Sequence, residues 1–214
     1  REKNPGGVRC TIFESLATYL GRDPQTGFVR RPIDNVGIQY GLKALQTGTI
    51  TVDQFLDLNE QIGGFGPDGD FVPTRTVGDP EGIANAYRTG RIFSGNGTSQ
   101  PILECRRCND LIPGRGDVHT RFHTFEIRRR LMDSNGGMAN HVVWTWAPTA
   151  PAAEYTGKAP DAMDQWLEAL LRDTSAASYA EKVLRAKPAT LVDGCWDPSN
   201  GARIDEPASE DPKS

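Results

Sequence analysis

Two of the chain's three histidines, His119 and His123, stand four residues apart in the segment GDVHTRFHTF (116–125), with Asp117 before them and Arg121 between them. On a helix, residues at i and i+4 share a face, so both imidazoles would point the same way. An H-x-x-x-H pair is a metal-chelating geometry, and Glu126 lies one turn beyond His123. The zinc-hydrolase form of that geometry needs a glutamate directly after the first histidine; Thr120 stands there, so no metal ligand is assigned. A Ser-His-Asp relay needs one imidazole, a carboxylate that orients it and a serine that it deprotonates. Asp110 with His119 or His123 would supply the acid and the base. Asp117 is an alternative acid, although its place before Val118 suits a helix N-cap better. The bland reading of the whole stretch is a solvated first helical turn, with Phe122 and Phe125 packing inward.

Other side chains are weighed the same way. Arg121 would bind a substrate carboxylate, or pair with Asp117 along the helix. Asp34, Asn35, Gln39 and Tyr40 would line a pocket, or cap a helix and pack the core. His141 opens a strand and reads as structural. Ser94 and Ser134 sit in FSGNG and DSNGG, and neither is in a G-x-S-x-G elbow, so a nucleophilic serine is not assigned. The four cysteines are Cys10, Cys105, Cys108 and Cys195. The C-x-x-C at 105–108 follows a strand instead of opening a helix, and it lacks a second close pair, which disfavours thioredoxin-type and zinc chemistry. A Cys10–Cys195 disulfide is one possible pairing.

These residues need elements to position them. The spacing predicts a short helix over 10–20, a helix over 36–48 capped by Asp34 or Asn35, and a helix after Thr51, which stands three residues before Gln54 as in a capping box. A small hairpin is expected at PDGD (67–70), and Asp79 with Pro80 opens a further helix. PILEC (101–105) and HVVWTW (141–146) read as buried strands, separated by a helix over 118–136. A second helix, 161–173, carries an apolar stripe of Met163, Trp166, Leu167, Leu170 and Leu171; a third spans 178–186. The tail from 187 to 214 reads as irregular. Strand, helix, strand, helix is a parallel βαβα unit of the α/β class. Two strands make no stable sheet, and the neighbours they need are not evident in this chain.

The 214 residues are 37% hydrophobic and 24% charged, enough apolar content for a packed core. With a net charge of −4 and no dominant basic face, neither nucleic acid nor an anionic membrane surface is an expected partner. The RRR run at 128–130 reads as a solvated helix face. No apolar run approaches the roughly 20 residues of a membrane span. The opening REKNPGG and the polar ending suggest an internal piece of a longer protein.

In sequence, RRPIDNVGIQYGLKALQTGTITVDQFLDLNEQIGG followed by PILECRRCNDLIPGRGDVHTRFHTFEIRRRL resembles the C-terminal half of an uncharacterised bacterial family, itself similar to tannases and other secreted esterases. DNVGIQYGL and GDVHTRFHTF are its most specific parts. The resemblance covers residues 8 to about 197. It implies the C-terminal part of an α/β-hydrolase-like sheet, with at least two parallel strands and a helical insertion acting as a lid or pocket wall. It divides the chain into a lid-like segment (8–90), a βαβα core (91–186) and a tail (187–214). It implies a secreted serine hydrolase of carboxylic esters, with the acid at Asp110 in the CNDLIPG loop and the serine upstream of Arg1; the base would come from His119 or His123, come from sequence beyond Ser214, or be missing. No cofactor is implied; the partners are an ester substrate and the rest of the same protein. The chain departs from the pattern where the triad histidine normally sits, because APTAPAAEYTGKAP after the second strand holds none. Alone, the chain is expected to be inactive. The alternatives are a non-catalytic binding or structural domain on a hydrolase-like scaffold, or a histidine-based metal module.

Overall fold

A computed structural model of the chain describes residues 9–107, 119–147, 157–197 and 199–207. The chain divides into two compact units, Arg1–Phe93 and Ser94–Ser214.

In the first unit a 3-10 turn, Glu14–Leu16, runs into a single helical turn, α1 (Ala17–Leu20). Helices α2 (Leu42–Gln46) and α3 (Val52–Gln61) follow, then an antiparallel hairpin of β1 (Gly64–Phe65) and β2 (Phe71–Val72), and α4 (Pro80–Arg88). The hairpin turns at PDGD, as the sequence indicates. α3 starts on a complete capping box: the Thr51 hydroxyl accepts from the Gln54 N–H at 3.2 Å, and the Gln54 side chain accepts from the Thr51 N–H at 2.9 Å. Asp79 caps α4 through the Gly82 N–H at 2.7 Å, with Pro80 at the first helical position. The apolar core is small: Leu20, Val29 and Ala86, with Phe13, Leu16, Ala17 and Ile92 against them.

The helix expected over 36–48 shrinks to the five residues of α2. Gly37 and Gly41 adopt left-handed backbone (φ 82° and 81°), a conformation that ends a right-handed helix wherever it occurs. Asp34 and Asn35 therefore cap no helix. The Asp34 carboxylate accepts from the Val36 N–H at 2.7 Å in a local turn and from the Gly78 N–H at 2.8 Å across the unit, and Asn35 reaches across it as well.

The second unit is built on a four-stranded sheet in the order β3 (Ile102–Arg107), β4 (His141–Trp146), β5 (Asp193–Trp196), β6 (Arg203–Glu206). β3, β4 and β5 run parallel; β6 returns antiparallel to β5. Helix α5 (Phe122–Asn135) links β3 to β4; α6 (Lys158–Arg172) and α7 (Tyr179–Ala186) link β4 to β5. The α/β class holds. The stretch from 187 to 214, expected to be irregular, supplies β5 and β6, the neighbours that the first two strands appeared to lack. DGCW and RIDE are four residues each, with little apolar alternation, so neither gives a strand signal; pairing of β5 to β4, and of β6 to β5, makes them strands.

Alternation along the strands separates two faces. Leu103, Cys105, Val142, Trp144, Trp146 and Trp196 meet α6 and α7 in the main core, where Trp166 and Val183 are fully buried. Trp166 also donates its indole N–H to the Val183 carbonyl at 2.9 Å, so one side chain joins the two helices. Trp144 and Trp196 meet edge-to-face at 5.4 Å. The stripe that α6 turns inward is Ala159, Ala162, Trp166 and Leu170: Trp166 and Leu170 face the core as read from the sequence, whereas Leu167 and Leu171 are 40% and 82% exposed. Small alanines let the helix approach the tryptophans of the sheet closely.

The opposite face carries Glu104, Arg106, His141, Val143 and Asp193, and α5 packs on it through Thr124 and Arg128. α5 begins at Phe122, four residues after the expected start. Phe122 is 61% exposed, because the face toward the sheet is the one holding Thr124, Arg128 and Leu131. Cys10 is a free surface thiol, so the Cys10–Cys195 bridge does not form.

Candidate functional site

In open α/β sheets, ligands bind beyond the carboxyl ends of the parallel strands. Those ends here are Arg107, Trp146 and Trp196. Asp110, the expected acid, follows β3 by three residues in sequence and lies, with Asp117 and Cys108, outside the described residues. The chain re-enters at His119, which is exposed, and α5 starts three residues later. Both candidate histidines thus sit where the chain comes back from the carboxyl end of β3.

His123 is 52% exposed, and its Nδ1 lies 3.2 Å from Glu126 Oε2. Glu126 is in turn held by Arg130 at 2.6 Å. The Arg130 hydrogen bond, opposed by burial and helped by His123, holds the Glu126 carboxyl below its ordinary range, so it stays ionised beside the imidazole. Arg121 is half-buried at the helix N-cap.

The four expected pocket residues all lie in the first unit. Asn35 donates to the Gly63 carbonyl at 2.9 Å and to the Tyr40 hydroxyl at 3.3 Å, and accepts from the Thr76 N–H at 2.8 Å. The Tyr40 N–H is bound by Asn59, and Arg75 stacks over the Tyr40 ring at 5.0 Å. Gln39 is exposed. A cavity of about 750 Å³ does exist in this unit, but its wall is made by other residues, among them Phe28, Arg30, Arg31, Pro67, Val77 and Asp79.

Sequence reading missed a buried cluster of charge in the second unit. Glu104 on β3 accepts from Thr124 Oγ1 at 2.7 Å and from Arg106 Nε at 2.6 Å, and lies 3.0 Å from His141 Nε2. Burial raises the Glu104 pKa, but the hydrogen bonds from His141 and Thr124 and the Arg106 charge outweigh it and bring it down to about 2. The His141 side chain has no solvent exposure, and its Nδ1 has no hydrogen-bond partner among the described residues. Beside it the Arg128–Asp193 pair, 2.6 Å apart, is also largely buried; Asp193 also accepts from the Val143 N–H at 2.9 Å, extending the β4–β5 ladder. The available signal was a glutamate between Leu103 and Cys105 in an otherwise apolar strand, since a buried carboxylate needs partners. Among the described residues, no group of three or more His, Cys, Asp or Glu is placed to hold a metal ion. Nor is any described helix long and apolar enough to cross a membrane.

Comparison with curated proteins and with solved structures gives no match. A family model does match, and over residues 1–214. The hydrolase-like scaffold suggested by that family agrees with the parallel sheet and its flanking helices. By that match over its whole length, the chain belongs to the tannase-like family of unknown function, DUF6351.

Proposed function

We propose that this chain is the part of a secreted serine carboxylic-ester hydrolase that contributes the acid loop and the base, with the nucleophilic serine supplied from outside these 214 residues. The observation that supports it best is the run from the carboxyl end of β3 through the Asp110 segment directly into the histidine-bearing start of α5. A triad imidazole keeps one nitrogen for its carboxylate and the other for the serine. Because His123 Nδ1 already faces Glu126, the pairing Asp110–His119 leaves the two carboxylates with one imidazole each. His119 is therefore the base and Asp110 its acid; Arg121, between the histidines, faces the substrate.

The test is turnover of a chromogenic aryl ester by the full-length protein and its variants. Asp110→Asn and His119→Ala should each lower kcat by about a thousandfold or more, while His123→Ala retains most activity. Full activity in both His119→Ala and Asp110→Asn would remove the assignment. The second reading, a binding domain on a hydrolase-like scaffold, is favoured by one observation: the segment after β4, APTAPAAEYTGKAP, has no histidine. Absence of ester turnover in the unaltered full-length protein, with retained binding of an ester ligand, would establish that reading instead.

A further inference from the structure

We infer that Glu104, acting with Arg106, is a positioning residue that holds the histidine-bearing turn of α5 against the sheet. The inference rests on the reading of His119 as the base, and it extends that reading to a part of the fold that touches no substrate.

Among the described residues, no N-cap side chain fixes the start of α5 in the usual way. Its N-cap position is Arg121, which makes no side-chain capping hydrogen bond. Ser, Thr, Asp or Asn at that position would satisfy one of the first backbone N–H groups and set the entry angle of the chain. Here the fixing groups come from β3. Arg106 Nη1 donates to the carbonyl of Thr120, the residue next to His119. Glu104 Oε1 accepts from the hydroxyl of Thr124, the residue next to His123. The same Glu104 oxygen accepts from Arg106 Nε, so one carboxylate sets both contacts. The second Glu104 oxygen is fixed by His141 Nε2 on the adjacent strand. The carboxylate cannot swing away without leaving the buried His141 and Thr124 groups without their partner, and that penalty makes the attachment stiff.

The consequence is geometric. Proton transfer to a base tolerates displacements well under 1 Å, and a helical turn tied down only by its own backbone frays. Two strand-borne side chains, two residues apart on one face of β3, hold the carbonyl on one side of His119 and the hydroxyl beside His123. Arg121 and the exposed Phe122 ride on the same turn.

The experiment combines hydrogen exchange, imidazole NMR and kinetics on the full-length protein, comparing Glu104→Gln with Thr124→Val, which removes a single bond and leaves the charges in place. Expected in Glu104→Gln is exchange of the amides of residues 119–124 at least about tenfold faster, with the amides of β4 changed far less. The ring signals of His119 and His123 should broaden or move, and kcat for an aryl ester should fall about tenfold or more while KM stays within about twofold. Thr124→Val should change the same amides in the same direction by less. Unchanged exchange at 119–124 and unmoved ring signals in both variants would overturn the inference. If the unaltered protein turns over no ester, the hydrolase reading fails by itself, and exchange and ring signals still decide whether Glu104 holds the turn.

Discussion

The two units of this chain are stabilised by opposite means. Ser94–Ser214 centres on an apolar face with four tryptophans, Trp144, Trp146, Trp166 and Trp196, all at most 5% exposed. Among its described residues, Arg1–Phe93 buries three hydrophobic side chains of modest size and ties its loops together with side-chain-to-backbone hydrogen bonds from Asn35, Asn59 and Arg75. Many of its larger apolar side chains, including Val52, Leu56, Phe65 and Phe71, are exposed. The contrast has a direct energetic meaning. Apolar burial is non-directional and spread over many weak contacts, so the sheet unit keeps its shape when any one of them is lost. A loop unit held by a few directional bonds keeps its shape only while each bond is made.

Apolar truncation should therefore be most costly in the sheet unit. Trp166 has no exposed surface, fills the space between α6, α7 and β4, and spends its indole N–H on the Val183 carbonyl. Trp166→Ala leaves a large cavity and an unpaired buried carbonyl, and should destabilise the unit by about 4 kcal/mol. Denaturant unfolding monitored by exchange of the β4 amides measures this. Trp166→Phe, which keeps most of the volume and loses only the N–H, should lose well under half as much. Equal losses for Ala and Phe would mean that the hydrogen bond and not the packing dominates, and would weaken the contrast between the units.

How far this arrangement was legible depends on whether the signal was local. The capping box of Thr51 and Gln54, the Asp79–Pro80 helix start, the PDGD turn and the strand HVVWTW are all specified by residues within a few positions of one another, and each is found in place. β5 and β6 were not legible, because Asp193–Trp196 becomes a strand only through β4, about 50 residues away in sequence, and Arg203–Glu206 only by pairing with β5 once that strand has formed. The helix over 36–48 failed for the reverse reason: apolar residues suggested a period, while two glycines in left-handed backbone broke it. The candidate base was visible as a histidine pair, but the group that holds it was not. Glu104 and His141 are 37 residues apart, and only the parallel register of β3 and β4 puts a carboxylate against that imidazole.

The sheet unit also contains one polar element whose contribution depends on pH. Glu104 titrates at about 2 in the folded protein and near 4.5 when unperturbed. The folded state thus binds this proton more weakly than the unfolded chain does. The resulting stabilisation is fully present above pH 4.5 and is lost as pH falls from 4.5 toward 2. At about 1.4 kcal/mol per pKa unit, the amount at stake is about 3 kcal/mol. Denaturant midpoints measured from pH 6 down to pH 2.5 should fall along this limb, and Glu104→Gln should flatten it by about that amount. An acid limb of equal steepness in Glu104→Gln would assign the loss to other carboxylates.

In the loop unit the sharpest effect should come from a polar truncation. Asn35 is the point where three segments meet: it donates to Gly63 ahead of the hairpin, accepts from Thr76 after it, and touches the Tyr40 hydroxyl. Thr76 is 5% exposed, and its hydroxyl in turn accepts from the Phe65 N–H at 2.7 Å. Asn35→Ala leaves the Gly63 carbonyl and the Thr76 N–H unpaired, at a cost of about 2 kcal/mol, although the apolar area lost is negligible. Exchange of the Thr76 amide should accelerate most, with Phe65 next. Asn35→Asp separates the two halves of the bond pair: the carboxylate still accepts from Thr76 but cannot donate to Gly63. It should protect Thr76 and free the chain at Gly63. If Asn35→Ala changes neither amide, then the small cluster of Leu20, Val29 and Ala86 suffices to fix these loops, and the two units are held by the same means after all.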